Sequence, residues 1–292
     1  MTTTTEVTLS FEIFPPKNDN AAETLGRTLA DLAPVPASFL SVTSGASGSA
    51  ARATAEQALA YGDALGGVPP RPHLTCVQAS RDEMEELVGA CLDVGIDRFV
   101  AIRGDAPPDQ PVYTPRPDGF AYADDLTREL KAWGASDVAV GAYPEVHPDA
   151  ANEAHCLDVL KRKVDAGADR ILTQYCFETD QVLRWADAVR DAGIDLPIGI
   201  GVMPVHNYAQ IKRFSDRCGA GVPQWLTDAL GDLEPGSDRA MARAADIAAE
   251  QCRRLIRGGL THLHLYTLNR SALTLAILRR LEAGPESVRW AA

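Results

Sequence analysis

Residues 7–17, Val7-Thr8-Leu9-Ser10-Phe11-Glu12-Ile13-Phe14-Pro15-Pro16-Lys17, decide between the two architectures open to this chain. Strict alternation puts Val7, Leu9, Phe11 and Ile13 on one face of a strand and Thr8, Ser10, Glu12 and Phe14 on the other. The strand then runs into Pro-Pro-Lys. An open, doubly wound sheet would place a glycine-rich phosphate turn at this point, and none follows. Nor does the chain carry a G-x-x-x-x-G-K-[ST] loop, and Gly45-Ala46-Ser47-Gly48 is too short for a dinucleotide fingerprint. Seven more strands are expected near Ser38–Ser44, Arg71–Val77, Arg98–Gly104, Val138–Pro144, Arg170–Cys176, Leu196–Val202 and His262–Thr267. Amphipathic stretches such as Thr54–Leu65, Asp82–Val94, Ala151–Ala166 and Gln181–Ala192 lie between them, several ending at a glycine: Gly95, Gly167, Gly193, Gly258-Gly259. A closing helix is expected at Ser271–Leu281. Eight such units pair in parallel and close a barrel, so the expected fold is a single (β/α)8 TIM barrel. The segment from Met203 to Thr261 predicts three extra helices between strands 7 and 8, since no Pro/Ser-rich linker marks a second domain. Residues 1–6 are expected to form a disordered tail, and residues 7–292 one catalytic domain.

Composition narrows the function classes. Among 292 residues, 28 Lys and Arg against 40 Asp and Glu give a net charge of −12. Such a surface repels phosphate backbones and argues against a nucleic-acid partner. No apolar run approaches the roughly 18 residues that a membrane helix needs. Six cysteines are scattered without a C-x-x-C pair, which suits small buried hydrophobes in a reducing cytoplasm. The Thr-rich start, Met1 to Glu6, lacks the basic and apolar regions of a signal peptide, so a cytoplasmic location is expected.

A barrel gathers its chemistry at the C-terminal ends of its strands, and polar residues end nearly every strand here. Glu12 faces the interior, where lost hydration raises a carboxyl's pKa and lets it hold a proton near neutrality. It is the best general-acid candidate; the competing reading is a carboxylate paired with an interior Arg or His. After the fourth strand, Gly104 permits a tight turn and Arg103 offers a planar fork for phosphate. Asp105 either pairs with Arg103 or accepts from a ligand's N–H groups. The fifth strand ends with Tyr143 and His147, and the sixth with Gln174, an amide that donates and accepts. In the eighth, Leu263 and Leu265 face out, so His262, His264 and Tyr266 face in, followed by Asn269 and Arg270. His264 reads as a hydrogen-bonded core histidine before it reads as a base. The run Lys161-Arg162-Lys163 reads as a solvated helix face unless a phosphate lies nearby. His73 and His147 lack a third ligand at helical spacing, so no metal site is expected. The sum is an acid-containing mouth suited to a phosphorylated, aromatic cofactor.

Beyond that point the chain resembles a known family. Residues 10–17 (Ser10-Phe11-Glu12-Ile13-Phe14-Pro15-Pro16-Lys17), Arg103-Gly104-Asp105, Tyr143-Pro144-Glu145-Val146-His147-Pro148, Thr173-Gln174, Met203-Pro204-Val205 and Tyr266-Thr267-Leu268-Asn269-Arg270 resemble methylenetetrahydrofolate reductases in order and spacing. So do Ser41-Val42-Thr43, His73-Leu74-Thr75-Cys76 and Lys161-Arg162-Lys163-Val164-Asp165-Ala166-Gly167-Ala168. The length is similar to that of the bacterial, catalytic-domain-only form. The resemblance implies a barrel that holds FAD, takes a hydride from NADH or NADPH, and reduces 5,10-methylenetetrahydrofolate to 5-methyltetrahydrofolate by a ping-pong scheme. Glu12 then matches the acid that opens the folate ring, and Asp105 the carboxylate beside flavin and pterin. Gln174, Tyr208, Tyr266 and Arg270 match substrate contacts. Matching FAD positions are Thr43, His73, Arg103, Gly104, Asp105, Tyr122, Ala123, Tyr143, His147, Arg162 and Lys163, with Lys163 and Arg103 toward the diphosphate. The family includes dimers and tetramers, so a homo-oligomer serving one-carbon and methionine metabolism is implied.

Three positions depart from the family pattern. Cys156 stands where an acidic residue is frequent, Val159 where a polar one is, and Ser44 where an aromatic one is. Looser binding at the AMP end of FAD is expected, with Asp158 or His155 as possible substitutes. Two other readings compete: a flavin-independent reductase with direct hydride transfer, and a catalytically silent folate-binding barrel. The retained Arg103-Gly104-Asp105, Tyr143 and His147 speak against the first, and Glu12 and Gln174 against the second.

Overall fold

The computed structural model of the chain describes residues 4–43, 51–77, 79–105, 113–283 and 287–291. Ser44 lies outside the described residues. The strands are β1 (Thr5–Ile13), β2 (Phe39–Val42), β3 (Pro70–Thr75), β4 (Arg98–Ile102), β5 (Asp137–Ala142), β6 (Arg170–Thr173), β7 (Ile198–Val202) and β8 (His262–Tyr266). Each is followed by a helix: α1 (Asp19–Leu32), α2 (Ala51–Ala64), α3 (Arg81–Asp93), α4 (Ala123–Ala132), α5 (Glu153–Asp165) and α6 (Thr179–Asp191) come after β1 to β6 in turn. Three helices, α7 (Tyr208–Cys218), α8 (Gln224–Leu230) and α9 (Asp238–Arg257), separate β7 from β8, and α10 (Ser271–Glu282) follows β8. All neighbouring strands are parallel, and β1 bonds to both β2 and β8, so the sheet closes. The expected eight-stranded barrel and its three extra helices are both present.

The chain differs from expectation at its start. Thr5 and Glu6, assigned to the tail, belong to β1, because a ninth strand, β9 (Val288–Trp290), pairs with Thr5, Glu6 and Val7. The N-terminal edge of β1 is thereby covered from the C-terminal end of the chain.

Alternation in β1 sorts the residues as their chemistry demands. Val7, Leu9, Phe11 and Ile13 are buried in an outer apolar layer with Leu25, Leu29 and Leu32 of α1 and Leu273 and Ile277 of α10. The inward residues meet side chains from across the barrel. Phe39, Val100 and Leu172, from β2, β4 and β6, fill an interior layer, and His262 of β8 packs edge-on against Phe39 at 5.6 Å. Beneath Phe39 lies a charged floor. Arg71 stacks on its ring at 4.6 Å and binds Asp137 through two hydrogen bonds, while Arg170 grips the same carboxylate. Helices α5, α6 and α9 end next to Gly167, Gly193 and Gly259, all at positive φ, which turn the chain toward the next strand.

Candidate active site

The register of β1 fixes the centre of the mouth. Glu12 pairs with Ser41 of β2 on one side and Tyr266 of β8 on the other, one residue before β1 ends. Its side chain is only 15 % exposed. One carboxyl oxygen, Oε2, lies 3.5 Å from Nε2 of His73 and 3.5 Å from Nε2 of His264, and accepts from the Ser41 hydroxyl at 3.4 Å. Burial pushes the carboxyl pKa up, and the nearby His73 and the Ser41 bond offset this only in part. Glu12 is thus a largely buried interior carboxyl with a raised pKa and two histidine neighbours.

Burial lowers the pKa of both histidine neighbours, His73 and His264. Burial, then the charge of Arg71 on the floor, push His264 down to about 3, and burial and His264 do the same for His262. His264 is fully buried, and the Ser10 hydroxyl joins its Nδ1 at 2.8 Å to Nε2 of His262 at 2.9 Å. A lowered imidazole beside a raised carboxyl favours the neutral pair, with the proton on Glu12. As expected, His264 is a bonded core histidine.

The other candidates ring this centre. Thr43 follows β2, its N–H bonded to the Ile13 carbonyl at 3.0 Å. Gly104, at φ 86°, turns the chain after β4, and a Cβ there would strike the Val77 side chain at 2.6 Å. Tyr143 lies near the Gln174 side chain, whose Oε1 accepts from the Tyr175 N–H at 3.0 Å, and packs edge-on with His147 at 4.5 Å. Burial raises its hydroxyl to about 12, and Asp105 adds to the rise. Tyr266 donates to the Thr173 carbonyl at 3.0 Å, and burial with the nearby Glu12 raises its pKa well above the usual value. Glu12, Tyr266, Tyr143, Gln174, Asp105 and His147 thus belong to one neighbourhood, drawn from five different strand ends.

Of the two roles left open for Asp105, pairing with Arg103 is not the one seen. The Arg103 guanidinium pairs with Asp149 at 2.7 Å and lies over the Tyr113 ring at 4.7 Å. Tyr113 in turn packs beside Tyr122, the exposed N-cap residue of α4, and Ala123 behind it is buried. Lys163 leaves the solvated helix face: its Nζ donates to the Gly141 carbonyl at 2.7 Å. Burial lowers the ammonium to about 8; Asp124 opposes this, and Arg103 and Arg162 add to it. Arg162 itself is exposed and reaches Asp124 at 3.5 Å. Tyr208, at the start of α7, bonds Thr227 of α8 at 2.6 Å, and exposed Arg270 stands close enough to His206 to help lower its pKa to about 4.

Asp149 and Tyr113 had no sequence signal, being 46 and 10 positions from Arg103. Near the AMP-end departures, the Cys156 sulfur accepts from the His147 N–H at 3.4 Å and His155 accepts from the Ala151 N–H at 3.3 Å, so both serve the loop before α5. A groove of about 770 Å³ lined by Phe177, Trp225, Arg254 and their neighbours contains none of the candidate residues.

A largely buried carboxyl with a raised pKa inside the mouth of a closed barrel, flanked by aromatic rings and a cluster of cations, fits a (β/α)8-barrel enzyme, a fold that gathers its chemistry at the strand ends. The family profile described as methylenetetrahydrofolate reductase matches residues 1–282, and the chain belongs to that family. It is 36 % identical over 280 residues to the 5,10-methylenetetrahydrofolate reductase of Escherichia coli (strain K12), covering 96 % of this chain and 92 % of that protein. It is 34 % identical over 293 residues to methylenetetrahydrofolate reductase (NADH) 1 of Arabidopsis thaliana, covering 97 % of this chain and 49 % of that protein. Among solved structures, a Clostridium thermocellum protein that binds two copies of 5-methyl-5,6,7,8-tetrahydrofolic acid aligns with a TM-score of 0.65. At 15 % identity over 93 % of this chain and 94 % of that one, it supports the fold alone. No helix among the described residues is long and apolar enough to cross a membrane.

Proposed function

We propose that the chain is a flavin-dependent reductase that converts 5,10-methylenetetrahydrofolate to 5-methyltetrahydrofolate with electrons from NADH or NADPH, in a ping-pong sequence. Family membership supports the reaction, and the residues of the mouth supply its chemistry. FAD, when bound, provides the two-electron carrier between the nicotinamide and the folate. The donor set suits such a cofactor: Arg103 and Lys163 both lower the pKa of His147, and Arg103 and Arg162 that of Lys163, so the three cations lie close enough together to share a diphosphate. Tyr143, His147, Tyr122 and Thr43 offer aromatic and polar contacts along its length. Arg103, now paired with Asp149, and Lys163, now bonded to the Gly141 carbonyl, are the residues that would hold the diphosphate.

Glu12 carries the proposal. Its protonated carboxyl delivers a proton to N10 of the folate, the bond to the methylene carbon breaks, and the resulting 5-iminium cation is the hydride acceptor. His73, His264 and Ser41 hold the carboxyl in place, and the neutral histidines leave its proton available. Asp105, an anion at the exposed rim, binds the pterin N–H groups and stabilises the cation. Gln174, anchored through its Oε1 to the Tyr175 N–H, presents an amide to either substrate, and Tyr208, Tyr266 and Arg270 border the folate. A homo-oligomer and a role in one-carbon and methionine metabolism accompany this reading.

Glu12→Gln tests it. General-acid catalysis contributes on the order of 10²- to 10⁴-fold. The variant is expected to lose that much in reoxidation of the reduced protein by methylenetetrahydrofolate, with NADH-driven reduction intact. Folate reoxidation at the wild-type rate in Glu12→Gln would overturn the acid assignment.

A further inference from the structure

After β8 the chain makes an uncommon turn. Leu268 and Asn269 are the only described residues other than glycine with positive φ, at 50° and 55°, and they are adjacent. Left-handed backbone is rare for leucine, and persists only where the surroundings enforce it. Here the enforcement comes from the end of β1. The Asn269 side chain accepts from the Phe14 N–H at 3.1 Å and donates to the Phe14 carbonyl at 2.8 Å. The Thr267 hydroxyl and N–H both donate to the Glu12 carbonyl, at 2.7 and 3.2 Å, and the Asn269 N–H donates back to that hydroxyl at 3.1 Å. Asn269 is buried, and Thr28 of α1 secures its carbonyl from outside at 2.8 Å.

These bonds do a specific task. The β1–β8 ladder ends at Glu12 and Tyr266, so beyond that pair the backbone carrying Glu12 has no strand neighbour on the β8 side. The Asn269 carboxamide takes the place of the next rung: one acceptor and one donor, matched to the N–H and C=O of Phe14. Only a residue that tolerates the left-handed region and carries both a donor and an acceptor fits this position; aspartate lacks the donor and alanine both. Glu12 is thereby held at its own carbonyl and two residues beyond it, while its side chain projects into the barrel.

We propose that Asn269, with Thr267, is a positioning residue for Glu12: a clasp from the strained turn after β8 that sets the depth of the carboxyl between His73, His264, Ser41 and Tyr266. The inference rests on the proposed function only where it speaks of rate; the placement of the carboxyl is a property of the protein alone. Without the clasp the end of β1 frays, the carboxyl moves toward the solvent at the mouth, and the proton it holds by burial is lost more readily.

The test is Asn269→Gly, which deletes both side-chain bonds yet suits the left-handed backbone, so the turn still forms. Asn269→Asp is the second variant, keeping the shape and placing an anion against the Phe14 carbonyl. The primary readout is the Glu12 carboxyl band in infrared difference spectra of the flavin-free protein across a pH titration, identified by its disappearance in Glu12→Gln. The groups facing Glu12, His73 from β3, His264 and Tyr266 from β8 and Ser41 from β2, are unchanged in every variant. The clasp predicts that the midpoint falls toward the ordinary carboxylate range in Asn269→Gly, and that folate reoxidation slows on the order of ten- to a hundredfold, the cost of misplacing a reacting group by about an ångström. NADH-driven reduction is unchanged. Thr28→Val loosens the same turn without touching Glu12 or Phe14, and is expected to lower the melting temperature and leave the midpoint alone. An unmoved midpoint in Asn269→Gly, or an equal shift in Thr28→Val, overturns the proposal. A shifted midpoint with an unslowed folate step keeps the clasp and counts against the acid role of Glu12 instead.

Discussion

Asp137→Asn probes the charged floor on which the mouth is built. The wild-type carboxylate receives hydrogen bonds from Arg71 and Arg170, and the Arg71 side chain is 2 % exposed. Asparagine keeps the volume and one acceptor but removes the only carboxylate paired with either guanidinium among the described residues. Breaking a buried pair by removing one partner costs about 3–5 kcal/mol, because the surviving charge stays buried. Asp137 and Arg170 retain some solvent contact, which places the effect near the lower end, about 3 kcal/mol. At about 2 °C per kcal/mol for a chain of this size, the melting temperature should fall by roughly 6 °C. The pH dependence is a second constraint. Burial alone would raise the Asp137 carboxyl, but the hydrogen bonds and charges of Arg71 and Arg170 outweigh it and hold the pKa well below 3.8. A depressed carboxyl contributes stability that is complete above its unfolded value and disappears as pH falls through its folded one. Thermal unfolding followed by circular dichroism should therefore show a constant deficit between about pH 5 and pH 8 that narrows in strong acid. A fall of less than about 2 °C, or a deficit that varies between those two pH values, would refute the assignment of Asp137 as the counter-charge for Arg71.

Three other outcomes are expected. Folate reoxidation of the reduced protein should decline as pH rises through the elevated pKa of Glu12, since the acid is active only when protonated, while stopped-flow reduction by NADH should lack that limb. Gly201→Ala places a methyl group 2.4 Å from the Thr173 carbonyl and 2.7 Å from the Tyr266 ring, so scanning calorimetry should report a loss on the order of 1–3 kcal/mol and folate affinity should drop. Lys163→Met keeps the buried stem and removes the cation, and flavin fluorescence titration should give FAD binding weakened about tenfold or more, the value of one charge-assisted hydrogen bond.

The barrel was readable because its evidence is local. Alternation in β1 and β8 assigned inward and outward faces that the structure reproduces, and glycine stops such as Gly167 and Gly193 divided helices from strands. Residues whose role depends on a distant partner were not readable. Thr5 and Glu6 resemble a tail until β9 arrives from the other end of the chain, and a three-residue strand is too short to announce itself. Glu12 could be singled out as an interior carboxyl, yet the sequence offered no choice between an acid and an ion-paired residue. That question turns on the charge of His264, which Arg71 on the floor helps to keep neutral. Arg103 was recognisable as a cation at a strand end, whereas its pairing with Asp149 depends on how the loop after β5 folds back. The Asn269 clasp was invisible for the same reason: it joins residues 255 positions apart through a backbone conformation that composition does not encode.

The central claim, two half-reactions sharing one flavin, is tested most directly by the absorbance spectrum of the purified protein during anaerobic addition of NADH and then methylenetetrahydrofolate. Flavin bands that bleach with NADH and return with the folate are the predicted result. A colourless protein that gains nothing from added FAD, yet oxidises NADH once the folate is present, would contradict it and mean that hydride passes directly between the two substrates.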